Sequence, residues 1–381
     1  MAGETQSTER RWPPLDPREL SRLHQLGLLG LLSIAVLPLV ASTGAVGFVD
    51  PLLVLQVTGA LFFAVYVMTW DVVSGYTGEI SFGHALFIGV GAYTSALANV
   101  YLGVPLVASI PLGVVAAGVA GLLIGFPSLR VRGPYFSLIT LVAPIILVRV
   151  LVYYAPVTGG ETGLFGVETI SFDPVANYYV AFGLFLLALV IFLAVTRSDA
   201  GEVLTAIRED EDAVVAVGLN PARYKLFVFV LSGAVGGLAG ALFVSTYAQG
   251  IVTPSETLGL VLSIELIVAA ILGGMGTITG AAVGGLFFYL LQTWLRGVDV
   301  TIPVVGAPVS ELYFLIFAIV TLLFLFFMPQ GILPRLVQEA RRLGEREPGT
   351  DVATDGGRAP TTAAVASLRD GLDALFGGER R

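Results

Sequence analysis

The chain has 381 residues, 56% of them hydrophobic and 13% charged, and a mean hydropathy of +0.87. A soluble domain carries about twice that charged fraction, so an ordinary soluble enzyme or binding domain is excluded and a polytopic membrane protein is implied. The formal net charge of -8, with Lys225 the only lysine among 20 basic residues, speaks against nucleic-acid binding and is compatible with a salt-rich cytoplasm, where charge repulsion is screened.

No cysteine is present, which removes disulfide frameworks and thiolate chemistry. Crossing a bilayer as a helix takes about 20 apolar residues. Ten such runs are predicted, near 25 to 43, 52 to 70, 83 to 101, 104 to 126, 134 to 154, 177 to 196, 225 to 248, 257 to 273, 277 to 295 and 310 to 328. The expected fold is therefore all-α, with about ten transmembrane helices. Residues 1–24 form a cytoplasmic extension, 25–335 the membrane domain and 336–381 a flexible cytoplasmic tail, in which Val365, Leu368, Leu372, Leu375 and Phe376 carry a short amphipathic pattern. Arg10, Arg11, Arg18 and Arg22 precede the first run, which is long enough to span and shows no small-residue cleavage site, so a retained helix is expected.

The second run leads into a corner rich in glycine, with Gly75, Gly78, Gly83, Gly89 and Gly91. The eighth leads into another, with Gly273, Gly274, Gly276, Gly280, Gly284 and Gly285. These are expected to be corresponding corners of two parallel repeats, acting as hinges or as close-packing points. Gly233, Gly236, Gly237 and Gly240 read as a smooth packing face. His84 opens a span after Ser81 and suits either a helix-start hydrogen bond or a substrate contact. Arg149 lies near the outer end of its span and either snorkels or draws a carboxylate inward. Glu265, mid-span in Ser263-Ile264-Glu265-Leu266, is a candidate for a pathway or gating role, with a buried packing carboxylate as the alternative.

Between Arg197 and Lys225 the apolar pattern is interrupted by a charged segment. Val203, Ile207, Val214 and Val217 fall on one helical face, with Glu202, Thr205, Arg208, Glu209 and Asp212 mostly elsewhere, and Gly218 marks a stop before Asn220-Pro221. Such a stripe either docks on a partner or the membrane surface, or packs on its own bundle. Counted with alternating helices, Arg10 to Arg22, Arg130, Arg132, Arg197, Arg208, Arg223, Lys225, Arg335, Arg341, Arg342 and Arg346 share one side, and only Arg149 and Arg296 lie near the other. Both termini are thus expected in the cytoplasm, and the connection from Ala155 to Val175, without basic residues, outside. No phosphate-binding loop, metal-ligand pattern or nucleophile with its base is recognisable.

In this setting the chain resembles the permease subunits of branched-chain amino acid ABC importers, specifically the larger of two permease types. The resemblance is carried by Ser74-Gly75-Tyr76-Thr77-Gly78-Glu79-Ile80-Ser81-Phe82-Gly83-His84-Ala85, running to Gly89-Val90-Gly91-Ala92-Tyr93. Arg130-Val131-Arg132-Gly133-Pro134-Tyr135-Phe136, Thr158-Gly159-Gly160-Glu161-Thr162-Gly163-Leu164 and Ser263-Ile264-Glu265 leading to Gly273-Gly274-Met275-Gly276-Thr277 add to it. So does the cytoplasmic Ala206-Ile207-Arg208-Glu209-Asp210-Glu211-Asp212-Ala213, closed by Gly218-Leu219-Asn220. Ala143-Pro144 departs from the more polar pair expected there.

The resemblance implies a second homologous permease subunit, two ATPase subunits that carry ATP and Mg, and an extracytoplasmic binding protein delivering leucine, isoleucine or valine. This chain would itself hold no cofactor or metal. Ile207, Arg208, Glu209, Asp212, Val214 and Gly218 are then expected to couple to the ATPases, with Ile207 and Val214 filling a groove on them. His84, Tyr93 and Glu265 are expected along the substrate path, Thr158, Gly159, Gly160, Thr162 and Gly163 at an external contact, and Gly83, Gly91, Gly273, Gly274 and Gly276 at hinges or packing points. A urea or short-amide importer is the alternative. An ion-coupled secondary transporter needs carboxylates in several spans, where Glu265 alone clearly qualifies.

Overall fold

The computed structural model describes residues 22–43, 50–128, 134–298, 300–302, 307–327 and 331–335. Its helices are α1 (Arg22–Thr43), α2 (Pro51–Thr77), α3 (Ala85–Leu102), α4 (Leu106–Ser128), α5 (Pro134–Tyr153), α6 (Ala155–Thr158) and α7 (Pro174–Thr196). There follow α8 (Asp199–Glu209), α9 (Glu211–Ala216), α10 (Pro221–Ser245), α11 (Pro254–Leu258), α12 (Leu260–Gly273), α13 (Ile278–Arg296) and α14 (Val309–Phe327). The extended structure is a two-residue antiparallel ladder, Thr301–Ile302 against Ala307–Pro308.

Among the described residues, seven helices, α2, α3, α4, α5, α7, α10 and α13, are long and apolar enough to cross a membrane, and shorter apolar segments lie in α1, α12 and α14. These ten overlap the ten predicted runs, but the apolar segments in α1, α12 and α14 are shorter than a span. The eighth run is broken at Gly259 into α11 and α12. At 1.5 Å per residue, the 14 residues of α12 rise about 21 Å, short of a hydrocarbon core of about 30 Å.

Three long helices begin on an Asx-Pro pair that settles their first turn. Asp50 accepts from Leu53 N (2.8 Å) ahead of Pro51, Asp173 from Val175 N (3.0 Å) ahead of Pro174, and Asn220 from Ala222 N (3.1 Å) ahead of Pro221. The side chain occupies an otherwise orphaned donor, and the proline has no donor to orphan.

Apolar on every side, α2 is buried on every side. Each residue from Val57 to Gly75 is buried, against α7, α10, α12 and α13. A second group joins α3, α4 and α10. A Cβ on Gly91 would lie 2.3 Å from the Gly237 Cα, and one on Gly113 2.5 Å from the Gly91 carbonyl oxygen. Glycine is what lets these three backbones touch. Gly83 against Thr140, and Gly273 against Gly280, are equally close, so these positions are packing points. The outer faces of α4, α5 and α7 expose Val115, Leu123, Leu138, Ile146 and Val190, surface suited to lipid or a neighbouring subunit.

Candidate functional site

At one end of the bundle the two glycine corners meet. Asp71, in the last two turns of α2, accepts a hydrogen bond on Oδ1 from the Gly276 N–H (2.7 Å), in the α12–α13 turn. A Cβ on Gly75 would lie 2.3 Å from that Oδ1 and 2.6 Å from the Gly276 nitrogen, so the contact requires a bare backbone. Gly276 itself has φ 79, a conformation costing other L-residues about 1–2 kcal/mol. From the connection between α7 and α10, Arg208 donates from Nη1 to the Gly75 carbonyl (2.8 Å) and from Nη2 to Glu209 (3.1 Å).

A buried ion cluster fastens the same connection a second time. Lys225, near the start of α10, has its ammonium 2.7 Å from Glu79 Oε1 and 3.0 Å from Glu211 Oε2. Its side chain is only 5% exposed. One cation thus joins α10, the turn after α2 and the first residue of α9. That turn is also held by Trp70 Nε1 to the Ser81 carbonyl (2.7 Å), Ser137 Oγ to the Ile80 carbonyl (2.6 Å) and Phe82 N to Thr140 Oγ1 (3.2 Å).

The charged connection differs from its expected form. It is two helices with a break at Asp210, whose carboxylate caps α9 through Ala213 N (3.0 Å). Ile207 and Val214 are buried against the chain's own helices together with Leu204, which corrects their assignment to a groove on a partner. Arg208 likewise turns inward to Gly75. The outward surface carries Glu209, Asp212, Val215, Val217 and Leu219, with Val217 75% exposed. Gly218, at φ 85, ends α9 with its N–H on the Val215 carbonyl (2.9 Å).

The expected path residues each hold a contact between elements. His84 is buried between Ser81 Oγ and Ser232 Oγ, each 3.0 Å from a ring nitrogen. Ser232 donates to the Thr69 carbonyl (2.6 Å), so its oxygen accepts from Nε2–H, and Ser81, which accepts from Gly83 N (3.3 Å), donates to Nδ1. A neutral imidazole fills that role as a pin between α2, α3 and α10. Tyr93 is buried and donates to the Val252 carbonyl (3.3 Å). Glu265 accepts from Gln292 Nε2 (2.8 Å), linking α12 to α13. Each group has a packing partner, and none of the three lines either of the two grooves beside α5.

Two grooves flank α5. The larger, about 720 Å³, runs from Gly78, Glu79 and Phe82 along Ser137, Leu138 and Leu141 to Leu260 and Ile264. The smaller, about 430 Å³, lies beside Ile145, Arg149, Val152, Glu161, Leu258 and Leu260. Leu260 borders both, so together they follow the α5–α12 face from the charged corner to the opposite end of the bundle. There Thr158 Oγ1 donates to the Leu151 carbonyl and Gly163 adopts φ 88. Thr158, Gly160 and Gly163 are buried and build the turn, Gly159 is half-buried, and Thr162 is exposed beside Glu161.

Sequence reasoning passed over Asp71, Glu79, Glu211 and Ser232 as partners. Asp71 was hidden because the second run was expected to stop at residue 70, whereas α2 continues to Thr77. The signal was a carboxylate inside an apolar helix, the feature used to single out Glu265.

Residues 52–332 match the family model described as branched-chain amino acid transport system / permease component. The chain is 30% identical over 341 residues, 82% of its length and 75% of the relative's, to the Salmonella typhimurium high-affinity branched-chain amino acid transport system permease protein LivM. It is 24% identical to the probable branched-chain amino acid transport permease protein LivM of Methanocaldococcus jannaschii, over 68% of this chain and 87% of that one. Similarity to the Escherichia coli permease protein LivH is 33% over 107 residues, covering 28% of this chain and 33% of LivH. No solved structure matches. With the match to LivM three times as long as that to LivH, and ten apolar helices in the fold, the chain is a multi-pass membrane protein that belongs to the branched-chain amino acid transport system permease family, on the side of its larger type.

Proposed function

We propose that this chain is the larger permease subunit of an ATP-driven importer that takes branched-chain amino acids from an extracytoplasmic binding protein. The observation that carries the reading is the α8–α9 connection. It is fastened inward to the ends of α2 and α10 through Arg208 and Lys225, and presents Glu209, Asp212, Val215 and Val217 outward. That surface receives an ATPase subunit, which holds ATP and Mg. Arg197, Arg208, Arg223 and Lys225 stand at this end, and Arg149 and Arg296 at the other, a positive-inside bias that supports a cytoplasmic position for this face; on this reading the chain sits in the plasma membrane with both termini inside.

The apolar α5–α12 face, with its two grooves, meets the second, homologous permease, and the substrate passes between them. Thr162 and Glu161 mark the outer contact for the binding protein. ATP binding and release favour different loop positions, and the differential affinity drives the alternation. The test is uptake by proteoliposomes containing both permeases, the ATPases and the binding protein, with labelled leucine and urea. ATP-dependent leucine uptake is expected. Urea uptake alone would overturn the substrate, and uptake by this chain alone under an ion gradient would overturn the whole reading.

A further inference from the structure

Three glycines outline a notch that one arginine fills. A Cβ on Gly78 would lie 3.2 Å from Arg208 Cγ, one on Gly276 2.7 Å from Arg208 Nη1, and the Gly75 carbonyl accepts from the same Nη1. With α2 ending at Thr77, that carbonyl is among the last four of the helix, which lack an intrahelical donor. The guanidinium supplies a donor and places positive charge at the negative end of the helix. Asp71, four residues earlier and on the same face, lies within electrostatic reach of Arg208 and holds the Gly276 N–H through Oδ1. Its Oδ2 is buried without a hydrogen-bond partner among the described residues. The unbroken sequence of contacts therefore runs from α8 through Arg208 to the end of α2, and through Asp71 to the α12–α13 turn.

We propose that Arg208 and Asp71 are positioning residues that couple the α8–α9 connection to both glycine corners, so that displacement of the connection moves the end of α2 and the α12–α13 turn together. The proposal rests on the reading of α8–α9 as the ATPase contact. Lysine at 208 would reach the carbonyl as a point charge but lose the planar fork.

The experiment uses the full importer in proteoliposomes and reads uptake per ATP hydrolysed together with co-purification of the ATPase subunits. Arg208→Ala is expected to lower uptake per ATP about tenfold with the ATPases still bound, and Arg208→Lys to recover part of the loss. Wild-type uptake per ATP in Arg208→Ala would overturn the proposal. Val215→Asp with Val217→Asp addresses the underlying contact separately. Retained ATPase binding there would sink the docking reading, whatever Arg208 does.

A second variant guards against misassembly. Cβ atoms at positions 78 and 208 would be 3.8 Å apart, at the mean disulfide spacing, in a chain without cysteine. In Gly78→Cys/Arg208→Cys, oxidation is expected to raise uptake per ATP above that of the reduced sample by restoring the tie covalently. Oxidation that abolishes the remaining uptake would show that α8 and α2 must part during the cycle, and would overturn the proposal.

Discussion

The two ends of the bundle are closed by different kinds of bond. At the charged end, elements far apart in sequence are joined through side chains, Arg208 to Gly75, Asp71 to Gly276, and Lys225 to Glu79 and Glu211. At the opposite end, the connection after α6 is joined to the one after α10 through backbone. Leu164 and Val252 exchange both hydrogen bonds (2.9 and 3.0 Å), Val167 N reaches the Gly250 carbonyl (3.2 Å), and Ile170 N the Ser245 carbonyl (2.8 Å). A backbone pairing fixes one register, whereas an ion pair can be rebalanced by a charged surface that approaches it. On the proposed function, the first end is the one that responds to a partner and the second the one that stays in place.

The largest test of that contrast is Lys225→Ala. It strands the Glu79 and Glu211 carboxylates around a buried site, and breaking such a cluster from one side costs about 3–5 kcal/mol. Thermal unfolding of the purified complex in detergent should register it, and a change below about 1 kcal/mol, as for a surface pair, would remove the cluster from the account of this end.

A matched pair of glycine substitutions sharpens the contrast at intermediate size. Gly163→Ala places a Cβ at φ 88, 2.5 Å from the Val252 carbonyl oxygen, and Gly276→Ala one at φ 79, 2.7 Å from the tip of Arg208. Gly276→Ala carries the positive-φ penalty of about 1–2 kcal/mol, whereas Gly163, with ψ 169, sits in a region essentially confined to glycine that costs about 1–3 kcal/mol. The Val252 backbone cannot give way, whereas the atom nearest a Cβ on Gly276 is an arginine tip that can swing aside, with the Gly75 carbonyl oxygen next at 3.0 Å. Gly163→Ala is therefore expected to lose more stability and to speed amide exchange at Leu164 and Val252. Gly276→Ala should show mainly as reduced uptake per ATP. The reverse ranking would break the comparison.

Glu209→Ala is the smallest. Its carboxylate pairs with Arg208 at an exposed site, so stability should change by less than about 1 kcal/mol. ATPase affinity, titrated at two salt concentrations, should fall most at low salt.

Much of this was legible in the chain. Uniform apolar runs gave the ten helices, the Asx-Pro pairs their starts, and the charge interruption between Arg197 and Lys225 the connection that leaves the membrane domain. Both glycine corners were visible as clusters, although not that Gly75 and Gly276 touch. Where expectation failed, the cause was a choice that periodicity leaves open. An apolar stripe on a short helix must be covered, and Ile207 and Val214 are covered by their own bundle instead of a partner. His84 and Tyr93 are polar groups inside a membrane domain, but each is satisfied by a neighbouring segment, Ser232 on α10 for His84 and the Val252 carbonyl in the connection after α10 for Tyr93.

By itself the sequence determined what each segment must do with water and with lipid, because hydropathy and helix-start chemistry act over a few neighbouring residues. Pairing across more than a hundred residues was decided only by the tertiary structure. Asp71 with Gly276, Gly75 with Arg208 and Glu79 with Lys225 are contacts between groups that carry no mutual signal along the chain. Each exists because helix packing brings a bare glycine backbone or a buried charge within reach of the one partner that satisfies it.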